Sequence, residues 1–172
     1  TAWLRKAVRW VVNIVVAIAC GWFLVYGFGE QVLISGNSMQ PQLSAQDVVL
    51  MNRIIYVTGT PDRFDVVVFE REDGKKNVKR IIGLPGETVQ IRDNRVYING
   101  EPLKEDKMGE VSLAGRAADP VRLGEKEYFL LGDNRGSSED SRFPNIGNVK
   151  REQILGKAWF RMLPLLNLGF VS

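Results

Sequence analysis

The sequence predicts a mainly β protein, a domain of packed antiparallel sheets behind one N-terminal transmembrane helix. Residues 10–29, WVVNIVVAIACGWFLVYGFG, are twenty consecutive uncharged residues. From residue 30 onward the chain breaks into short apolar runs separated by turn dipeptides. Helical periodicity after the first segment is weak, confined to one turn at Lys150–Gln153.

Twenty helical residues at 1.5 Å each span about 30 Å, the hydrocarbon thickness of a bilayer. Asn13 is the strongly polar side chain inside the run, and Trp10, Trp22 and Tyr26 sit where interfacial aromatic anchors belong. Arg5, Lys6 and Arg9 precede the run and Glu30 follows it. The positive-inside rule therefore puts residues 1–9 in the cytoplasm as a tail, 10–29 in the membrane and 30–172 outside. Ala17-Ile18-Ala19 mimics a signal-peptide cleavage site, but the apolar run continues through GWFLVYGFG, which fits an uncleaved anchor.

Strands are expected at Gln31–Ile34, Val48–Ile55, Asp65–Phe69, Val78–Leu84, Thr88–Arg92, Arg95–Ile98, Glu127–Leu131 and Ile154–Phe160. Asp73-Gly74, Pro85-Gly86 and Asn99-Gly100 supply tight turns between them. Residues 104–120 are polar and irregular and read as a loop, at most a small cap over 100–120. The closing run, residues 162–172, is too short to span a membrane and is expected against the β domain or the bilayer surface.

Composition excludes several chemistries. The 172 residues carry a net charge of +3, and their Lys and Arg are interleaved with Asp and Glu, so no basic stripe points to nucleic acid. With no histidine and one cysteine, Cys20, Ser-His-Asp and Cys-His arrangements are impossible, as are His- or Cys-rich zinc sites and an internal disulfide. Glu70, Glu72 and Asp73 are a conceivable carboxylate site for Ca²⁺ or Mg²⁺, but they read as a solvated hairpin tip.

Ser38 lies in SGNSMQP, directly after the first strand. A bend between glycine and proline exposes a hydroxyl and aims backbone N–H groups, as a nucleophile needs, although many loop serines share that pattern. Without histidine the base must be another residue, and lysine is the usual substitute. An ammonium near pKa 10.4 costs ~4.6 kcal/mol to make neutral at pH 7. Burial lowers a lysine pKa by up to ~3–5 units, enough to cover that. Lys75 and Lys76 adjoin a turn, and Lys104, Lys107 and Lys126 lie in polar contexts. Lys79 leads into Ile81-Ile82 and shares a strand face with Asn77 and Ile81. An edge lysine reaching solvent has the same local pattern. A third stretch, GDNRGSSEDSR at 132–142, is dense in short hydrogen-bonding side chains and follows an apolar strand. A serine from it is placed to orient a neutral lysine, and Asp140 and Arg142 to pair and pin the loop.

SGNSMQPQL at 35–43, Asp47, NVKRIIGLPGE at 77–87 and GDNRGSSEDSR at 132–142, in this order behind an anchor, resemble bacterial type I signal peptidases. The resemblance runs from the anchor to Ala158. It implies a single-pass plasma-membrane serine endopeptidase of mainly β fold that cleaves signal peptides from exported preproteins after Ala-x-Ala. Ser38 matches the nucleophile, Lys79 the general base and Ser138 the serine that positions the lysine. Asp140 and Arg142 match a structural pair, with Asp133 and Asn134 in the same stretch. Ile34, Gly36, Met39, Leu43, Asn77 and Val78 fall where the family lines its shallow S1 and S3 pockets. The implied partners are preproteins and the lipid bilayer, with no cofactor, no metal and no nucleic acid, and the chain is expected to work as a monomer. Gly36 departs from members that carry an oxyanion-hole serine there, so the second donor is a backbone group, water or Ser35. Two other readings remain: a self-cleaving SOS-repressor-like Ser/Lys protease, disfavoured by the anchor, and a catalytically silent membrane accessory protein.

Overall fold

A computed structural model describes residues 2–172, with the side chains of residues 2 and 24–28 left outside the description. The anchoring role expected of Tyr26 lies outside the described residues. Helix α1 runs Ala2–Phe28, so residues 2–9 share one helix with the apolar run. Nothing in AWLRKAVR breaks a helix, since it lacks glycine and proline. Within α1, Trp3–Phe23 is long and apolar enough to cross a membrane, with a mean hydropathy of 1.5 and no part of its most apolar stretch buried against the rest of the protein.

The β domain comprises β1 (Gly29–Leu33), β2 (Val48–Asn52), β3 (Val66–Glu70), β4 (Lys76–Gly83), β5 (Thr88–Arg92), β6 (Arg95–Ile98), β7 (Glu101–Pro102), β8 (Val121–Arg122), β9 (Glu127–Leu131), β10 (Val149–Lys150), β11 (Ile154–Leu163) and β12 (Gly169–Phe170). Eight form one sheet in the order β1-β2-β11-β3-β4-β9-β10, with β12 on β11, and four form a second in the order β7-β6-β5-β8. All the ladders are antiparallel. The strands expected at Thr88–Arg92, Arg95–Ile98 and Glu127–Leu131 coincide with β5, β6 and β9. Turn chemistry acts where expected: Asn99 and Gly100 both take positive φ, 51° and 86°, ahead of β7.

The strand expected at Val48–Ile55 is shorter. It stops at Asn52, whose Oδ1 accepts from the N–H of Ile54 (3.0 Å) and of Ile55 (3.2 Å). That side-chain turn starts a short helix, α2 (Ile55–Thr58), in place of the ladder. Apolar composition had favoured a strand there, yet Ile54 and Ile55 stay exposed. Residues 104–120 are irregular apart from a 3₁₀ turn at Gly115–Ala118, but Val111 and Ala117 are fully buried in the domain core. At the β3–β4 hairpin tip Asp73 pairs with Lys75 (3.6 Å) and Arg71 (3.8 Å), and no metal-holding cluster exists among the described residues.

β3 is buried on both faces: Val66 and Val68 face one core with Met39 and Leu43, while Val67 and Phe69 face another with Tyr56 and Leu130. A third core joins the two sheets through Ile82, Val89, Leu123 and Phe129. The C-terminal run folds back, pairing Phe170 with Phe160 and burying Val171 in the first core, while Leu165 and Leu166 stay 71% and 98% exposed.

Gly83 sits at the junction of the sheets. A Cβ there would lie 2.5 Å from Val89 Cγ2, 2.8 Å from Leu123 Cδ1 and 2.9 Å from the Phe129 Cβ. Gly83→Ala is therefore expected to lower stability by about 1–3 kcal/mol through overpacking, read as a fall in the thermal unfolding midpoint.

Candidate active site

β1 delivers the chain into a bend, residues 35–46, whose ends are tied by Ile34 N–H donating to the Asp47 carbonyl and Gln46 N–H to the Ile34 carbonyl, both at 2.8 Å. Met39 and Leu43 are buried and joined by Leu43 N–H donating to the Met39 carbonyl (2.8 Å), which roots the bend in the first core. Ser38, beside Met39, stays partly exposed.

Lys79 is opposite Val67 in the β3–β4 ladder and only 2% exposed. Its Nζ donates to Ser38 Oγ at 2.7 Å. Burial lowers the Lys79 pKa to about 8, while the charges of Asp140 and Glu139 pull it back upward. At that value about one molecule in ten carries a neutral Lys79 at pH 7, against about one in 3,000 for a lysine in water. When the proton leaves, the contact reverses and the Ser38 hydroxyl donates to the Nζ lone pair.

The 132–142 loop, after β9, is held by buried ion pairs. Arg80, the neighbour of Lys79, grips Asp133 with Nε and Nη2, both at 2.7 Å. Asp140 accepts from Gly132 N–H (3.0 Å) and is gripped by Arg142 Nε (2.8 Å) and Nη2 (2.9 Å). Arg142 sends its other hydrogens to the carbonyls of Leu113, Arg135 and Ser138, so all five guanidinium donors are used. Arg135 forms a bidentate pair with Asp106 (2.7 and 2.8 Å), which attaches the 104–120 segment to the loop.

Asn134 reaches the Ser38 bend directly. Its N–H donates to the Ser38 carbonyl (3.0 Å) and its Nδ2 to the Asn37 carbonyl (3.1 Å). A Cβ on Gly132 would lie 2.5 Å from the Ser38 carbonyl oxygen and 2.1 Å from Ser138 Oγ, so only glycine lets the loop approach this closely. Ser138 is buried, but its hydroxyl makes no hydrogen bond to Lys79 and has no partner among the described residues.

Ser38 and Lys79 close one end of a groove of about 280 Å³. One wall is β1 and the start of the bend, the other the first half of β4, and Ile34, Gly36, Met39, Asn77 and Val78 line it. Leu43, placed in the pocket by the sequence reading, is not on the groove surface but fully buried in the core that holds Ile34, Met39 and Val78. β1 pairs with β2 alone, and β4 pairs with β9 only from Arg80 onward, so both walls present unpaired strand edges to the groove.

Residues 7–163 match the family described as signal peptidase, peptidase S26. This chain belongs to that signal peptidase family. A probable signal peptidase I-2 of Synechocystis is 33% identical, with 99% of this chain and 78% of that protein covered. Signal peptidase I T of Bacillus subtilis is 35% identical over 91% of this chain and 85% of its own length. A crystal structure of a signal peptidase I from Enterococcus faecalis aligns with a TM-score of 0.49 at 35% identity, covering 58% of this chain and 97% of that one. The signal peptidase family places the chain among serine endopeptidases.

Sequence reasoning passed over Arg80, Arg135, Asp106 and Gly132. The signal for Arg80 was present, a second cation between Lys79 and the apolar pair Ile81-Ile82, which must find a buried carboxylate. Asp140→Asn strands the Arg142 charge in the interior. It is expected to cost about 3–5 kcal/mol, measured by thermal or denaturant unfolding.

Proposed function

We propose that the chain is a membrane-anchored endopeptidase that removes signal peptides from exported preproteins, with Ser38 as nucleophile and Lys79 as general base. The observation that carries the reading is the 2.7 Å contact between Ser38 Oγ and a lysine nitrogen withdrawn from water. Neutral Lys79 takes the hydroxyl proton as Oγ attacks the carbonyl after Ala-x-Ala. The lysinium then protonates the departing amine, which becomes the new N-terminus, and water hydrolyses the acyl-enzyme. The Ser38 N–H, which has no protein acceptor among the described residues, faces the developing oxyanion. Gly36 adds no side-chain donor, and a Cβ there would meet nothing within 4 Å. Asn134 and Gly132 hold the loop against the Ser38 bend, and Asp133–Arg80 and Asp140–Arg142 fix that loop. Ser138 positions Lys79 in this reading by turning its unpartnered hydroxyl toward the amine.

The groove suits an extended peptide added between two open strand edges, with its alternate small side chains against Ile34, Met39 and Val78. The apolar part of α1 from Trp10 onward spans the plasma membrane in this reading, with Arg5, Lys6 and Arg9 at its cytoplasmic end and the β domain outside. Leu33 and Leu163 both register against Val48, and with Leu165, Leu166 and Phe170 they add exposed apolar surface for the bilayer face. One chain supplies every residue of the site, so it works as a monomer.

Cleavage of a preprotein bearing an Ala-x-Ala site tests the assignment. Ser38→Ala and Lys79→Ala are each expected to lower kcat by about 10³-fold or more. Retention of cleavage in either overturns the dyad, and inactivity of the unmodified chain favours the accessory reading. Because the base must be neutral, log kcat/KM is expected to rise by about one per pH unit below pH 8 and to level above it. A pH–rate profile flat down to pH 5 would contradict a lysine base.

A further inference from the structure

The end of the groove away from Ser38 is charged. There Glu30 on β1 and Lys76 on β4 meet across the gap, with Lys76 Nζ 2.6 Å from Glu30 Oε1. β1 and β4 share no ladder, so this ion pair joins one wall of the groove to the other. Arg53, just beyond β2, donates to the second carboxylate oxygen of Glu30 at 3.0 Å. Glu70 is opposite Lys76 in the β3–β4 ladder, but its carboxylate turns to the hairpin tip, within 4.0 Å of where a Cβ on Gly74 would lie. The node thus sets two cations against one carboxylate, and all three side chains remain reachable from solvent, at 45% for Lys76, 33% for Glu30 and 60% for Arg53.

Lys76 precedes Lys79 by three residues on the same strand, about 10 Å at ~3.3 Å per residue. An extended peptide with its scissile carbonyl at Ser38 covers that distance in three residues. The Lys76 side chain therefore meets the fourth or fifth residue before the scissile bond.

We propose that Glu30, Lys76 and Arg53 form a specificity subsite that favours an acidic substrate side chain at that position and disfavours a basic one. The proposal rests on Ser38 and Lys79 being the cleavage site. An ammonium has three donors, and Lys76 gives one to Glu30. A substrate carboxylate takes another while Glu30 keeps both of its partners. A substrate cation finds Glu30 already shared between two cations, and meets Lys76 and Arg53 at like charge.

The test uses the full chain in detergent micelles and two series of three peptides, identical except for Glu, Gln or Lys at the fourth residue before the scissile bond in one series and at the fifth in the other. Expected at low salt is kcat/KM falling about threefold from Glu to Gln and again from Gln to Lys, the scale of a solvent-exposed ion pair. The preference is expected to shrink at high salt. Lys76→Gln should abolish the preference for Glu, whereas Glu30→Gln should enlarge it by removing the negative charge. Equal rates for the Glu and Lys peptides at both positions, or an undiminished preference in Lys76→Gln, would overturn the subsite. Cleavage of the Gln peptide by the unmodified chain and its loss in Ser38→Ala report on the dyad separately. Should no peptide be cleaved, fluorescence anisotropy of the labelled series reads the subsite alone: affinity in the order Glu, Gln, Lys supports it, and equal affinity overturns it.

Discussion

Exclusion of water from the Lys79 amine is the constraint that organises the rest of the domain. A lysine serves as a base only when it is neutral, and burial is the cause that lowers its pKa. The same burial is threatened by the loop that packs beside it. Asp140 and Glu139 both stabilise the ammonium, and either left unneutralised would hold the proton on Lys79 more firmly. The arginines answer this. Arg142 saturates Asp140 and Arg80 saturates Asp133, so the loop brings its hydrogen-bonding geometry to the site with much of its charge already matched. Arg71 adds to the downward shift and is itself paired with Glu139. The loop is held by ion pairs whose removal costs more than their formation gains, because each leaves a bare charge in the interior.

The groove and its backing follow from strand alternation. Leu43, Met39, Val68 and Val78 pack into one core against which the groove rests. The edge of β1 stays open because β1 ends the sheet and pairs with β2 alone, and the first half of β4 stays open because β9 joins β4 only beyond Lys79. The ladder that completes the sheet on one half of β4 is thus absent from the half that lines the groove, where the proposed function seats its peptide.

Much of this was legible in the sequence where a pattern is local. The unbroken apolar run, the strands at β5, β6 and β9 and the turn at Asn99-Gly100 each depend on near neighbours. Lys79 was legible by elimination, as a lysine leading into an apolar run in a chain without histidine. What escaped depends on contacts between distant residues. Asn52 ended β2 by capping two N–H groups, while the apolar pair beyond it argued for more strand. Leu43 was placed on the pocket surface because the motif contains it, but motif spacing says nothing of depth. Arg135 and Asp106 lie 29 residues apart, and no periodicity links them. Ser138 was assigned by motif to Lys79, and its hydroxyl sits buried without a bond to that amine.

The joint at Gly132 carries one more consequence. Ser38 and Lys79 are 41 residues apart, Arg80 and Asp133 are 53 apart, and Asn134 stands farther still from the serine whose carbonyl it holds. A chain still emerging or half assembled has an ordinary alcohol and an ordinary ammonium, neither of which attacks a peptide bond. On the proposed dyad, competence for cleavage arrives only when these distant residues are packed together around the amine. Completion of the fold is then the step that arms the proposed dyad, a safety catch built from sequence separation alone.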